Sequence, residues 1–256
     1  VTVLQEVGRI LRSEPFDLLL VQGDTTTSMA AALAAFYAGV RIGHVEAGLR
    51  TFDKANPYPE ESNRKIIDAV ADVFFAHTDM AKQHLLNEGI ADGAIEVTGN
   101  TVIDALLDVA ARPYTFDGTP LAALPFDTRK IVLVTAHRRE SFGGPFESLC
   151  TGLRDLARKY ADDIVLVYPV HRNPNVREVV GRILADTPNV VLTDPLDYMP
   201  LVHLMKRCHL VLTDSGGLQE EAPSLGKPVL VMRKTTERQE GVAAGKHRRE
   251  HLVDNR

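Results

Sequence analysis

Several short segments of this 256-residue chain concentrate groups able to do chemistry on an anion. Asp214-Ser215-Gly216-Gly217 closes the apolar run Leu210–Thr213 and opens a helical stretch, Leu218–Ser224. Adjacent glycines let a backbone approach a ligand closely. A helix N-terminus adds N–H groups and the positive end of a dipole, which suits a diphosphate. A plain Ser215 cap is the alternative. Glu220 and Glu221 follow, either to offset the dipole or to accept hydrogen bonds from a ribose. His137-Arg138-Arg139-Glu140 comes directly after the run Lys130–Thr135 and makes a concentrated positive site. His171 follows Ile164–Tyr168, and Arg238 sits beyond the last apolar run with Arg233 and Lys234 nearby. These basic groups either add to an anion pocket or balance local acids. Three carboxylates stand at other run ends: Asp24, Glu46 and Glu60, the last followed by Glu61. Asp24 could simply cap a helix, and Glu60 and Glu61 could offset a helix dipole. Glu46 ends an apolar run, where a carboxylate is costly unless used or paired. Taken together, they suit proton transfer.

The elements that must position these groups alternate. Strands are expected at Asp17–Gln22, Arg41–Val45, Val73–Ala76 and Ala94–Val97, with helices at Val1–Leu11, Ser28–Tyr37, Glu61–Val70, Met80–Asn87 and Val102–Ala111. Arg112–Arg129 is a turn-rich loop with four turn formers, Pro113, Gly118, Pro120 and Pro125. Strands then resume at Lys130–Thr135, Ile164–Tyr168, Val190–Thr193, Leu210–Thr213 and Pro228–Val231. Helices at Phe146–Lys159, Asn175–Ala185, Met199–Lys206 and Leu218–Ser224 separate or follow them. Continuous Val, Ile and Leu runs mark strands covered on both faces, and βα alternation implies parallel sheets. Two doubly wound domains result, one over residues 1–98 and one over 99–256. In such sheets ligands sit beyond the carboxyl ends of the strands, where the groups above stand. A second HRRE, His247–Glu250, has no strand before it and reads as solvated or accidental.

Composition narrows the class. Apolar residues are 45%, charged residues 25% and the net charge is −5, as in an ordinary globular protein rather than a nucleic-acid binder. No apolar run approaches the length of a membrane span. The two cysteines, Cys150 and Cys208, lack metal-ligand spacing and read as buried thiols of a reducing compartment. Val1 opens directly into a helix, as though the chain began inside a longer one.

The segments GDTTTSMAAALAAFY, GHVEAGLRT, PEESNR, TGNTVIDAL, HRRESFG, YPVHRNPNVRE and LTDSGGLQEEAPSLGKPVLVMRKTTER resemble, in order, the non-hydrolysing UDP-N-acetylglucosamine 2-epimerases. The resemblance runs from about Leu4 to about Gly245. It implies two Rossmann-like domains of the glycosyltransferase-B type with a first domain that is truncated, and an active site in the cleft. It implies interconversion of UDP-GlcNAc and UDP-ManNAc with no metal or nicotinamide cofactor, in a cytoplasmic protein that is a homodimer when complete, without nucleic-acid or membrane partners. Carried over by motif, Asp24, Glu46 and Glu60 are the active-site carboxylates and His137 the catalytic histidine. Ser215, Gly216 and Gly217 cradle the diphosphate and Glu221 binds the ribose. Arg138, His171 and Arg238 also bind the nucleotide-sugar. The family's opening strand and GTRPE-like loop do not occur here, Gln239 replaces a usual proline, and residues 246–256 diverge. Asp17–Gln22 is therefore expected to be a strand whose upstream neighbours are missing, leaving apolar edges.

The residue types suit such a reaction. The C2 proton becomes labile as UDP leaves C1. Elimination to a glycal and re-addition then need a leaving-group stabiliser, a base on one face and an acid on the other. Which of Asp24, Glu46 and Glu60 is the base stays open. So does the outcome: epimerisation, hydrolysis to ManNAc and UDP, or binding without turnover.

Overall fold

A computed structural model describes residues 1–137, 143–232 and 247–249. The chain divides into two compact units, Val1–Thr101 and Val102–Arg256.

In the first unit α1 (Thr2–Ser13) leads to β1 (Leu18–Gln22), α2 (Thr26–Ala38), β2 (Arg41–Ala47), α3 (Glu60–Val70), β3 (Val73–Ala76), α4 (Asp79–Asn87) and β4 (Ile95–Val97). The strands form a parallel sheet in the order β1-β2-β3-β4. Small residues let α2 lie close to the sheet: Ala32 and Ala35 are fully buried with Val21, Ile42 and Ile67. β1 is an edge strand among the described residues, and Leu18 and Leu20 are 39% and 57% exposed. That is the apolar edge expected of Asp17–Gln22.

Helix α5 (Thr101–Ala111) begins at the boundary, and the second unit continues through β5 (Lys130–Thr135), α6 (Gly144–Lys159), β6 (Ile164–Pro169), α7 (Pro174–Leu184), β7 (Val190–Thr193), α8 (Tyr198–Arg207), β8 (Leu210–Thr213), α9 (Leu218–Ser224), β9 (Val229–Val231) and β10 (His247–Arg249). Its parallel sheet has the order β10-β9-β8-β5-β6-β7. Alternate residues of one strand enter two cores. Ile131 and Leu133 pack with α5, α8 and α9 on one face, and Val132 and Val134 pack with α6 and α7 on the other. This double covering explains the unbroken apolar runs. The 112–129 segment has no regular element, yet Phe116, Leu121 and Leu124 are buried in the first of these cores.

His247–Arg249, part of the second HRRE, form a short strand where the sequence shows none. His247, Arg248 and Arg249 pair in parallel with Val229, Leu230 and Val231. A ladder at the free edge of β9 uses backbone groups alone, so charged residues can supply it, and no apolar pattern advertises it.

Both cysteines are buried free thiols. Burial pushes Cys150 up to about 12 and Cys208 up to about 11. Since the thiolate is the reactive form, neither should react with iodoacetamide at pH 8 in the folded protein, and both should react in urea. Mass spectrometry of the alkylated protein checks this.

Candidate active site

In the second unit the strand order reverses between β5 and β8. The chain runs outward from β5 to β6 and β7, then returns to lay β8 on the other side of β5. The carboxyl ends at such a reversal form a ligand crevice. A cavity of about 350 Å³ opens there, lined by Thr135 at the end of β5, His137 just beyond it, His171 after β6, Tyr198 at the start of α8, and Ser215, Gly217 and Glu221 after β8. That volume lies in the range of small-molecule sites.

Asp214 organises this crevice. It is almost fully buried, and its Oδ2 accepts the His137 backbone N–H at 2.7 Å. Its Oδ1 lies 3.5 Å from His137 Nδ1. The His137 ring stacks on His171 with centroids 5.2 Å apart and planes within 10°. A hydrogen bond between Thr135 and Thr213 at 2.6 Å ties the two strand ends together. One carboxylate thus holds the His137 backbone by a hydrogen bond and lies close to its ring. Nearby, burial and then the Glu221 carboxylate push the Tyr198 phenol up, so it stays a neutral hydrogen-bonding group at neutral pH.

Ser215 is not a helix cap. Gly217 holds that position with no side-chain cap bond, and the Ser215 N–H donates to Thr213 Oγ1 at 2.9 Å. A Cβ added to Gly217 meets nothing within 4 Å, and Gly217 has an ordinary helical φ of −61°. Neither folding nor packing within the described residues demands glycine there. Arg138 and Arg238 lie outside the described residues.

The first unit holds the three carboxylates. Asp24 does not cap α2; Thr25 does, accepting from Ser28 N at 3.1 Å. Asp24 Oδ2 instead pairs with Arg64 Nη1 at 2.6 Å, and its carbonyl accepts from Asn63 Nδ2 at 2.8 Å. Glu46 lies within β2 rather than just beyond it. Its φ is +68°, in the left-handed region, and the β2–β3 register shifts between Val45 and Ala47. Such a bulge re-aims a side chain and stores strain of the kind found at functional sites. Its Oε2 would stand 3.3 Å from a Cβ on Gly23, the residue before Asp24. The structure thereby brings Glu46 to the turn that carries Asp24.

Glu60 and Glu61 are adjacent but differ completely. Glu61 is fully buried, accepts from the Thr51 and Phe52 N–H groups at 3.0 Å each, and pairs with Arg64 at 2.9 Å. Glu60 Oε2 is buried with no hydrogen-bond partner among the described residues. Sequence reasoning missed Arg64, Asn63 and the structural role of Glu61. The available signal was their spacing: Glu61, Arg64 and Asp68 recur on the same side of α3 as the buried Ile67. A second set joins the buried His44, Asp68 and Arg50 to the exposed Glu88. Burial alone would raise the Asp68 carboxyl, but His44 and Arg50 hold it below the usual range. Burial likewise opposes the Arg50 charge, yet Glu88 and Asp68 push its pKa up.

The comparisons with known proteins bear on this geometry. The family profile described as UDP-N-acetylglucosamine 2-epimerase matches residues 1–253. This chain belongs to the UDP-N-acetylglucosamine 2-epimerase family. The family match extends beyond Gly245, so the segment that pairs as β10 falls within it. The UDP-N-acetylglucosamine 2-epimerase of Escherichia coli K12 is 54% identical over 248 residues, covering 95% of this chain and 66% of that protein. The chain thus spans about two thirds of the length of such curated relatives. Among solved structures, a Staphylococcus aureus MnaA–UDP co-structure superposes with TM-score 0.91 at 45% identity, covering 96% of this chain and 65% of that one. A Neisseria meningitidis UDP-GlcNAc 2-epimerase bound to UDP-GlcNAc gives TM-score 0.89 at 45% identity, covering 96% and 67%. The fold is the α/β, parallel-sheet architecture of these epimerases, which is glycosyltransferase-B-like.

Proposed function

We propose that the full-length protein interconverts UDP-GlcNAc and UDP-ManNAc by eliminating UDP and adding it back. The observation that carries this reading is the crevice at the β5–β8 reversal, where Asp214 holds His137 beside Ser215, Gly217 and Glu221. The same fold binds UDP in the S. aureus co-structure. The second unit is assigned the nucleotide. Glu221 takes the ribose hydroxyls, the Ser215 hydroxyl and the backbone at Gly216 and Gly217 take the diphosphate, and His137 stabilises the departing oxygen.

Proton transfer is assigned to the first unit. The C1–O bond breaks with its electron pair leaving on UDP, and a carboxylate takes the proton from C2, giving a glycal. The reverse addition delivers a proton to the opposite face of C2. Asp24, paired with Arg64, is an anion that steadies positive charge at C1. Glu60, whose Oε2 has no protein partner among the described residues, is the proton carrier. Glu46 serves the other face. The cytoplasm, a homodimer and supply of an activated amino sugar for cell-envelope polysaccharide belong to the same proposal.

Incubation of the full-length protein with UDP-GlcNAc distinguishes the readings. UDP-ManNAc is the expected product. Free ManNAc with UDP would mean hydrolysis, and binding without product would remove the catalytic assignment. Gly217→Val adds a sharper test of the diphosphate cradle. Because the site has open space and ordinary φ, the melting temperature should hold within the range of a neutral surface change. UDP affinity by calorimetry should fall about tenfold or more, as the backbone loses its close approach. Unchanged affinity would remove the cradle.

A further inference from the structure

We infer that His44 is a positioning residue: through the Gly23 carbonyl it fixes the turn that carries Asp24 and seats the Glu46 carboxylate. This rests on the epimerase reading of those two carboxylates. His44 lies in β2 opposite Val21 of β1 and is fully buried, so it acts on the reaction only through neighbours. Its Nε2 is 2.9 Å from the Gly23 carbonyl oxygen, and its Nδ1 is 2.5 Å from Asp68 Oδ1. A carbonyl can only accept, so Nε2 carries a hydrogen. Asp68 Oδ2 accepts from Arg50 Nη2 at 2.6 Å, and its Oδ1 faces His44 Nδ1.

Both ring nitrogens are therefore engaged, and the ring cannot turn without losing both contacts. Arg50 is fixed in its turn. Its Nε reaches Glu88 Oε1 at 2.8 Å, its Nη2 reaches Glu88 Oε2 at 2.5 Å, and its Nη1 donates to the Leu49 carbonyl at 2.8 Å. Asp68 comes from α3, which also supplies Asn63 and Arg64, the two groups that grip Asp24. Glu88 follows the end of α4. The network thus ties the turn after β1 to elements that follow it in sequence.

Gly23 is where that tie is felt. It has φ +68°, its N–H donates to Val45 O at 3.0 Å, and its carbonyl takes the His44 bond. β2 therefore holds Gly23 by both polar groups of its backbone. The next residue is Asp24, and the space where a Gly23 side chain would begin is 3.3 Å from Glu46 Oε2. The Gly23 peptide thus adjoins both carboxylates: it precedes Asp24 in the chain and faces Glu46 Oε2. A neutral donor would satisfy the carbonyl equally well.

The test uses two substitutions in the full-length protein. In His44→Gln the amide nitrogen takes the place of Nε2 and keeps the bond to Gly23. In His44→Asn the amide takes the place of Nδ1, keeps the bond to Asp68 and frees the Gly23 carbonyl. Misplacing a catalytic group by about 1 Å can cost on the order of 100-fold in rate. His44→Asn should thus lower kcat about 10- to 100-fold with KM for UDP-GlcNAc little changed, and His44→Gln should lose much less. A residue that only stabilises the fold would lower both variants together, in step with their melting temperatures. Equal losses, or full turnover by His44→Asn, overturn the proposal. If His44→Asn does not fold, His44→Gln decides alone: turnover near that of the parent supports the proposal, and turnover about 10- to 100-fold lower overturns it. If the parent protein does not act on UDP-GlcNAc, the epimerase reading falls by itself. Crystal structures of the two variants then decide the positioning role, with the Gly23–Asp24 turn displaced in His44→Asn but not in His44→Gln, or unmoved in both.

Discussion

Arg64→Met is expected to destabilise the protein by about 3–5 kcal/mol, the range seen when one partner of a buried ion pair is removed. Arg64 is 1% exposed and joins two carboxylates: Glu61 through Nε and Nη2, and Asp24 through Nη1. Methionine fills much of the same volume, so a cavity contributes little. What remains is the fully buried Glu61 carboxylate, which keeps its bonds from Thr51 and Phe52 but loses its cation. Urea denaturation of the full-length protein measures the loss. The double variant Arg64→Met/Glu61→Gln should recover part of it, because the two residues share one network. Turnover should collapse in the single variant as well, since Asp24 loses the group that orients it. A loss below about 1 kcal/mol would mean that the pair behaves like an exposed one, and would undo the reading of Arg64 as the structural centre of the first unit's site.

Glu60→Gln should do the opposite: little to stability and much to rate. Its Oε2 has no protein partner among the described residues, so the amide replaces no bond at that atom. The amide cannot take the C2 proton, and turnover should fall about 100-fold or more. UDP affinity should hold, because the nucleotide is assigned to the other unit. Calorimetry with UDP alongside turnover of UDP-GlcNAc separates these effects. Normal turnover would remove Glu60 as the proton carrier and leave Glu46 as the remaining candidate. The contrast with Glu61, one residue away, is informative. Adjacent helix residues point about 100° apart, so one can be sealed into the structure while the other serves the reaction.

That contrast also shows where sequence reading stops. β5, β7 and β8 were legible to the residue because both faces of the second sheet are buried and each strand is an unbroken apolar run. The α3 start was legible within one residue from Pro59 and the two glutamates. The motifs led to His137, His171, Ser215, Gly217 and Glu221, which the structure gathers around one cavity. Strand order was not legible, and only the β5–β8 reversal explains why those five meet. The division of labour proposed for Asp24, Glu46 and Glu60 was hidden for a similar reason. It depends on Arg64 reaching back to the β1–α2 turn and on a left-handed residue inside β2, and neither has a local signature. β10 has no signal in the sequence, because edge pairing uses backbone groups that every residue carries.

The account turns on proton transfer at C2, and one measurement addresses it most directly. The full-length protein is incubated with UDP-GlcNAc in D2O, and both nucleotide-sugars are recovered for NMR. Elimination and re-addition by exchangeable carboxylates predict deuterium at C2 of the UDP-ManNAc formed, and its appearance in the UDP-GlcNAc that returns through the reverse reaction. UDP-ManNAc that keeps its original hydrogen at C2 would contradict the account.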